Sequence, residues 1–250
     1  MNNYITLLIL AIFSYLLGSV NFAIIISKIK NKDIRDVGSG NPGTLNMSRN
    51  FGLGLGLLTF FLDVLKGAIP ALVSFFIFRN KFDETGLFNL SHLAIYVCGF
   101  SAILGHIYPV FLKFKGGKGI ATTIGVLLVC ECTEGLAWAI VAVMAIVAAV
   151  AFIYITEFGA MGSFIAITPP AICGGIRLYL YYGTIKEVSC FYIITSLIIL
   201  LICFFTWFAH RKNIERMLAG EEHPTSIKQL LVKAKSKKKK QLKESKTMDK

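Results

Sequence analysis

Residues 105–119 read Gly-His-Ile-Tyr-Pro-Val-Phe-Leu-Lys-Phe-Lys-Gly-Gly-Lys-Gly and lie between two long apolar segments. Glycines let a backbone approach a ligand closely and adopt positive φ, so successive N–H groups converge on an anion. Lys118 adds a point charge and three donors. A charged, glycine-rich loop held against apolar spans is costly to build, which favours function over mere connection. The stretch reads as an anion site at a membrane surface, and the segment directly after it decides the fold. Residues 120–130 are apolar but too short to cross a bilayer alone, unless the loop folds into the protein so that Gly119 to Val129 starts below the headgroups. With that segment the chain crosses seven times; without it, six.

The composition leaves no soluble alternative. Of 250 residues 55% are hydrophobic and 16% charged, and the mean hydropathy is +0.68, so the chain is expected to be an all-α, polytopic membrane protein. Apolar stretches of span length fall near 4–27, 57–78, 93–112, 136–155, 159–176 and 188–209. The first comes after Met-Asn-Asn with no basic n-region and no small-residue cleavage site, and reads as a retained span. The six cysteines, at 98, 130, 132, 173, 190 and 203, show no metal-ligand spacing and read as small apolar residues.

Charge separates six crossings from seven, because Lys and Arg collect on the cytoplasmic side. With seven crossings and the N-terminus outside, one face receives Lys28, Lys30, Lys32, Arg35, Arg49, Lys113, Lys115, Lys118, Arg211, Lys212, Arg216 and the lysine-rich tail; the other receives Arg79, Lys81, Arg177 and Lys186. The asymmetry favours seven, with a cytoplasmic C-terminus. Residues 1–225 then form an integral membrane domain and 226–250 a disordered cytoplasmic tail. Residues 228–250 carry ten Lys against Glu244 and Asp249. The tail reads either as a solvated extension that fixes topology or as an adhesive for anionic headgroups, at about 1 kcal/mol per basic residue. Nucleic acid is disfavoured, because no aromatic residues interleave with the charges.

Further polar groups lie on the basic face or in the spans that reach it. The loop 33–49 contains Arg35, Ser39, Gly40, Asn41, Asn46 and Arg49: planar guanidinium forks and uncharged donors suited to phosphate or carboxylate oxygens. It also reads as an ordinary turn-rich loop. Asp63 and Lys66, three residues apart in an apolar span, form either an internal ion pair or an arm reaching the anion site. His106 either braces the loop or bonds substrate. After the last span, His210, Asn213 and Arg216 share one side of a short helix, while Arg211 and Lys212 alone would be stop-transfer charges. The patterns of serine hydrolases, zinc proteases and P-loop nucleotide enzymes are absent: Gly119 stands where the P-loop needs Ser or Thr.

In these residues the chain resembles the bacterial acyl-phosphate:glycerol-3-phosphate acyltransferases, integral membrane enzymes that make lysophosphatidic acid. The resemblance rests on Gly18-Ser19, on Ile34-Arg35 with Gly38 to Gly43 and Asn46, on Leu62-Asp63 with Lys66-Gly67, and on Gly105-His106 with Pro109-Val110-Phe111. It continues through Lys115 to Gly119 with Ala121-Thr122, and through His210-Arg211, Asn213-Ile214, Arg216, Gly220 and Glu222. It runs from about residue 4 to 225 in the family's order; Asn21 stands where the family often has proline. It implies seven spans in the bacterial plasma membrane, a cytoplasmic site, and acyl phosphate and glycerol 3-phosphate as substrates. It also implies a functional link to an acyl-phosphate-forming enzyme, and neither cofactor nor metal is expected. Ser39, Arg49, Lys118, His210 and Asn213 are then expected to be catalytic. Arg35, Gly40, Asn41, Asn46, Lys66, His106, Gly116, Gly117 and Gly119 are expected to bind substrate, with Asp63 and Glu222 structural. The donor is a mixed anhydride, so direct transfer needs mainly positioning and charge neutralisation. A transporter for phosphorylated solutes would call for two related halves, and a synthase using a CDP-linked donor for clustered metal-binding aspartates; neither is visible.

Overall fold

A hydrocarbon environment offers the backbone no hydrogen-bond partner, so apolar stretches of this length fold as helices. The computed structural model describes residues 2–185, 189–222, 224–232 and 234–236. Its helices are α1 (Asn3–Gly18), α2 (Phe22–Ile29), α3 (Thr44–Phe51), α4 (Leu53–Phe78), α5 (Leu90–Ile107), α6 (Ile120–Cys132), α7 (Leu136–Thr156), α8 (Gly159–Tyr182), α9 (Cys190–Phe208) and α10 (Arg211–Leu218). Residues 227–232 are also helical; 237–250, the greater part of the expected tail, lie outside the described residues.

Six segments of the described chain are long and apolar enough to cross a membrane: Asn3–Ile29, Leu53–Phe78, Leu90–Leu112, Leu136–Thr156, Gly159–Tyr182 and Cys190–Phe208. α6 has 13 residues, about 20 Å of helix against about 30 Å of hydrocarbon. Nine of its thirteen residues are buried, from Thr122 through Leu127 and again from Val129 to Glu131. It packs on α4, α5, α7 and α8 and joins the two ends of the bundle. Just before its start, Lys118 bonds Asn213, beyond α9; near its far end Glu131 pairs with Arg177 of α8 at 2.6 Å. That far end also gathers His92 with Glu134 at 3.0 Å, Tyr182 with His92 at 2.7 Å, and Ser189 with Asp83 at 2.9 Å.

Between helices the packing obeys membrane rules, with small residues where backbones approach. A Cβ on Gly18 would lie 2.1 Å from Ala102 O, and one on Gly67 2.2 Å from Thr122 O, so α1 seats on α5 and α4 on α6 through glycine. α7 turns Ala142, Ala145 and Ala149 inward and Ile140, Val143, Met144, Val147 and Val150 outward, the outward face suited to lipid.

The first span is broken at residues 19–21, and the break has a buried anchor. Asn21 caps α2, its Oδ1 accepting from Ile24 N at 3.0 Å. Val20 O, released by the break, accepts from Lys66 Nζ at 2.9 Å, and the same ammonium lies 2.8 Å from Asp63 Oδ1. Lys66 and Asp63 are each 2% exposed. Removing one member of a buried pair leaves an uncompensated charge, a loss of about 3–5 kcal/mol, whereas replacing both by apolar residues is often neutral. Lys66→Met is therefore expected to lower the melting temperature of detergent-purified protein strongly, and Lys66→Met/Asp63→Leu to recover most of it; a single variant as stable as wild type would refute the anchor.

Candidate active site

The glycine loop is shaped by the end of α5. Lys113 and Phe114 adopt left-handed φ of 52° and 59°, which folds the chain back. Gly116 N then donates to Ile107 O and Gly117 N to His106 O, both at 3.1 Å. A Cβ at Gly116 would meet His106 O at 2.0 Å, and one at Gly117 would meet His106 Nε2 at 2.2 Å. These two glycines are thus required for packing over His106, and their N–H groups are satisfied within the protein. The N–H groups without a helical partner lie one step further along. Gly119, at φ +82°, starts α6 without a side-chain cap, and the first helical bond is Thr123 N to Gly119 O at 2.8 Å. The N–H groups of Gly119, Ile120, Ala121 and Thr122 therefore precede the hydrogen-bonded ladder, at the positive end of the helix dipole.

Lys118 reaches from this loop to Asn213 Oδ1, and Asn213 Nδ2 donates to Glu222 Oε1 at 2.6 Å. Arg216 Nε donates to the second oxygen, Glu222 Oε2, at 2.9 Å. The return of Glu222 to α10 is a local consequence of Gly220. This residue has φ +72°, its N–H bonds Met217 O at 3.1 Å, and Glu221 N bonds Arg216 O at 2.7 Å, which together make a Schellman turn. Arg49 of α3 arrives from the other side: its Nη2 donates to Thr225 Oγ1 at 2.8 Å and to Pro224 O at 3.3 Å.

His210 lies between α9 and α10, 3% exposed, with Nδ1 2.9 Å from Thr206 O. A carbonyl only accepts, so Nδ1 carries the proton and a neutral ring keeps its lone pair on Nε2. Burial, reinforced by the charge of Lys118, pushes the imidazole down to about 4. Burial likewise brings Lys118 down to about 8 against the pull of Glu222, with Arg216 and Arg49 adding repulsion. Near neutral pH the site thus holds a charged amine beside a neutral imidazole, a combination suited to binding an anion and accepting a proton.

The first loop divides between scaffold and surface. Asn46 is 2% exposed and saturated: Nδ2 donates to Ile34 O and Val37 O, and Oδ1 accepts from Ser39 N and Asn50 Nδ2. Its amide organises the loop, so the expectation of a substrate contact there does not match its hydrogen bonds. Arg35 grips Asp33 through Nε and Nη2, holding that carboxyl down at about 2. Ser39 is exposed, its Oγ accepting from Asn41 N at 3.4 Å, and Gly40 turns the chain at φ +68°. Lys66 takes the internal pairing described above, beside His106, whose Nδ1 is 3.7 Å from Asp63 Oδ1. Two residues given no role from the sequence, Arg216 and Thr225, complete the site. The spacing of Arg216 from His210 is a signal for the first; nothing in the local sequence marks Thr225. Among the described residues no three His, Cys, Asp or Glu side chains group as metal ligands.

A family model described as glycerol-3-phosphate acyltransferase matches residues 8–220. The chain is 36% identical over 216 residues to the glycerol-3-phosphate acyltransferase of Aquifex aeolicus (strain VF5), covering 86% of this chain and 97% of that one. It is also 36% identical over 221 residues to the enzyme of the same name from Finegoldia magna, covering 88% and 96%. Among solved structures it is similar to PlsY (YgiH), an integral membrane glycerol 3-phosphate acyltransferase, in its glycerol 3-phosphate form. The TM-score there is 0.70 at 33% identity, over 90% of this chain and 98% of that one. The lysophosphatidic acid form of PlsY gives 0.69 at 32%.

The low Lys118 value has a measurable sign. Sulfate does not titrate in the accessible range, so any pH dependence of its affinity comes from the protein. Affinity measured by calorimetry is expected to be level from about pH 6 to 7 and to fall as pH rises through about 8, where Lys118 loses its charge. In Lys118→Met the affinity is expected to be lower and that step absent; a step that persists would assign the titration to another group.

Proposed function

The chain belongs to the glycerol-3-phosphate acyltransferase family, and from that membership we propose that it transfers an acyl group from an acyl phosphate to glycerol 3-phosphate, giving lysophosphatidic acid and phosphate. It is an integral membrane acyltransferase of phospholipid biosynthesis; the proposal concerns the donor, the product and the residues. The observation that carries it is the pairing of Lys118 with Asn213 beside a neutral, buried His210, directly in front of the uncapped start of α6.

Transfer is direct. The terminal hydroxyl oxygen of glycerol 3-phosphate bonds to the acyl carbon, the bond from that carbon to the phosphate oxygen breaks, and phosphate departs with the bonding electron pair. His210 Nε2 takes the hydroxyl proton and passes it to the departing phosphate. Lys118 and the N–H groups of Gly119 to Thr122 hold one phosphate, and Arg49 with Ser39 and Asn41 holds the other. Arg35 is already engaged by Asp33, which makes Arg49 the arginine of the first loop that serves the site.

The same reading places the protein in the bacterial plasma membrane with seven crossings, the N-terminus outside and the site facing the cytoplasm. Support comes from the basic residues near Lys118 and Arg49 and from contacts of α6 with opposite ends of the bundle. Residues 1–225 act as the catalytic domain and 226–250 as a lysine-rich cytoplasmic extension.

With protein reconstituted in lipid, acyl phosphate and glycerol 3-phosphate are expected to yield lysophosphatidic acid in a single turnover. Lys118→Ala should reduce kcat/KM by about 100-fold or more, the scale of losing a charged donor at developing charge. His210→Ala should lower kcat by about 10²- to 10⁴-fold with KM little changed. A pure rise in KM would remove His210 as the base, and no product from folded wild type would remove the acyl-phosphate reading.

A further inference from the structure

The strap after Gly220 binds the site at two points. Glu222 holds Asn213 and Arg216, and three residues later Thr225 holds Arg49. Thr225 is 4% exposed, and its own N–H donates to Glu157 O at 2.7 Å. The seat is closely fitted: a Cβ on Gly159 would stand 2.8 Å from Thr225 Oγ1 and 3.3 Å from Leu45 Cδ1, so the start of α8, α3 and the strap meet there. Thr225 lies beyond the family match, which ends at residue 220.

Arg49 is an exposed residue, and a long side chain loses rotamer freedom when it binds. Its Nη2 is committed to Thr225 and Pro224, whereas Nε and Nη1 have no protein partner among the described residues. The contact therefore removes freedom while leaving three of the five guanidinium donors available. The guanidinium lies within electrostatic reach of Lys118, and Glu222 within reach of the guanidinium.

We propose that Thr225 is a positioning residue: its hydroxyl, with Pro224 O, fixes one edge of the Arg49 guanidinium so that the remaining N–H groups meet a substrate phosphate beside Lys118. This rests on the assignment of glycerol 3-phosphate as substrate. The hydroxyl acts through Arg49 and does not touch the substrate.

The test is calorimetric binding of glycerol 3-phosphate to the full chain in lipid nanodiscs, paired with turnover. Thr225→Val is expected to weaken affinity by about tenfold, the scale of one hydrogen bond to a charged group, with kcat at saturation within about twofold of wild type. Thr225→Ser should restore affinity, and in an Arg49→Ala background Thr225→Val should change nothing further. Wild-type affinity in Thr225→Val, tighter binding, or an equal loss in the Arg49→Ala background would each overturn the proposal. If Thr225→Val does not fold, Thr225→Ala removes the same hydroxyl with less bulk and is read in the same way. Binding needs no acyl donor, so weakened affinity alongside absent transfer from acyl phosphate would uphold Thr225 and discard the donor.

Discussion

An ammonium group buried in an apolar bundle must find oxygen partners, and Lys66 finds two: the Asp63 carboxylate and the Val20 carbonyl freed where the first span breaks. The break itself is needed, because it turns the chain through α2 into the first polar loop. Asn21, which caps the new helix, also reaches Pro42 O at 3.5 Å, so the loop is referenced to the same point. Across the pair from Val20 lies His106, and over His106 lies Gly117. A column of polar contacts therefore runs from the broken span through α4 and the end of α5 to the glycine loop. Disturbing its middle shifts both loops that carry the proposed anion-binding groups.

The site concentrates positive charge with little to balance it. Lys118, Arg49 and Arg216 share the field of one carboxylate, Glu222, whose oxygens already hold Asn213 and Arg216. Such a cluster is under-neutralised until an anion enters, which is the condition for binding phosphate tightly. The same field has a second consequence. Lys118 adds to burial in disfavouring a proton on His210, so the charge proposed to attract the substrate also helps keep the imidazole neutral, with the Nε2 lone pair unprotonated. Lys118 thus bears both on the proposed phosphate binding and on the protonation of His210, and Thr206 O completes the arrangement by fixing the tautomer.

Much of this is visible in the sequence because membranes impose strong rules. Apolar length locates the six long spans, and the glycine-lysine loop and the His210 to Glu222 stretch stand out chemically. Errors arise where residue type is ambiguous. The second span, read as starting near 57, begins at Leu53, and a Cβ at Gly56 would strike Ser48 Oγ at 1.8 Å. Arg177 reads as an end to its span, yet α8 continues to Tyr182 because Glu131 is there to neutralise it. An asparagine serves scaffold and ligand equally well, and only the four partners of Asn46 decide between them. Thr225 is beyond reach of the sequence, since its importance comes entirely from where the chain turns after Gly220.

The shortness of α6 links fold to chemistry in the proposed seven-crossing topology. A 13-residue helix covers about two thirds of the hydrocarbon depth, so at least one of its ends lies below the headgroups. At the inner end, the loop from Lys113 to Gly119 covers the deficit; at the outer end, Glu131 and Arg177 do so with paired charge. Four unbonded N–H groups at such depth would be expensive if left empty. In the proposed topology a full-length helix would lift them into water. For the proposed reaction, a short, wrapped helix answers the geometric problem of bringing a water-soluble phosphate and a lipid-anchored carbonyl to the same level.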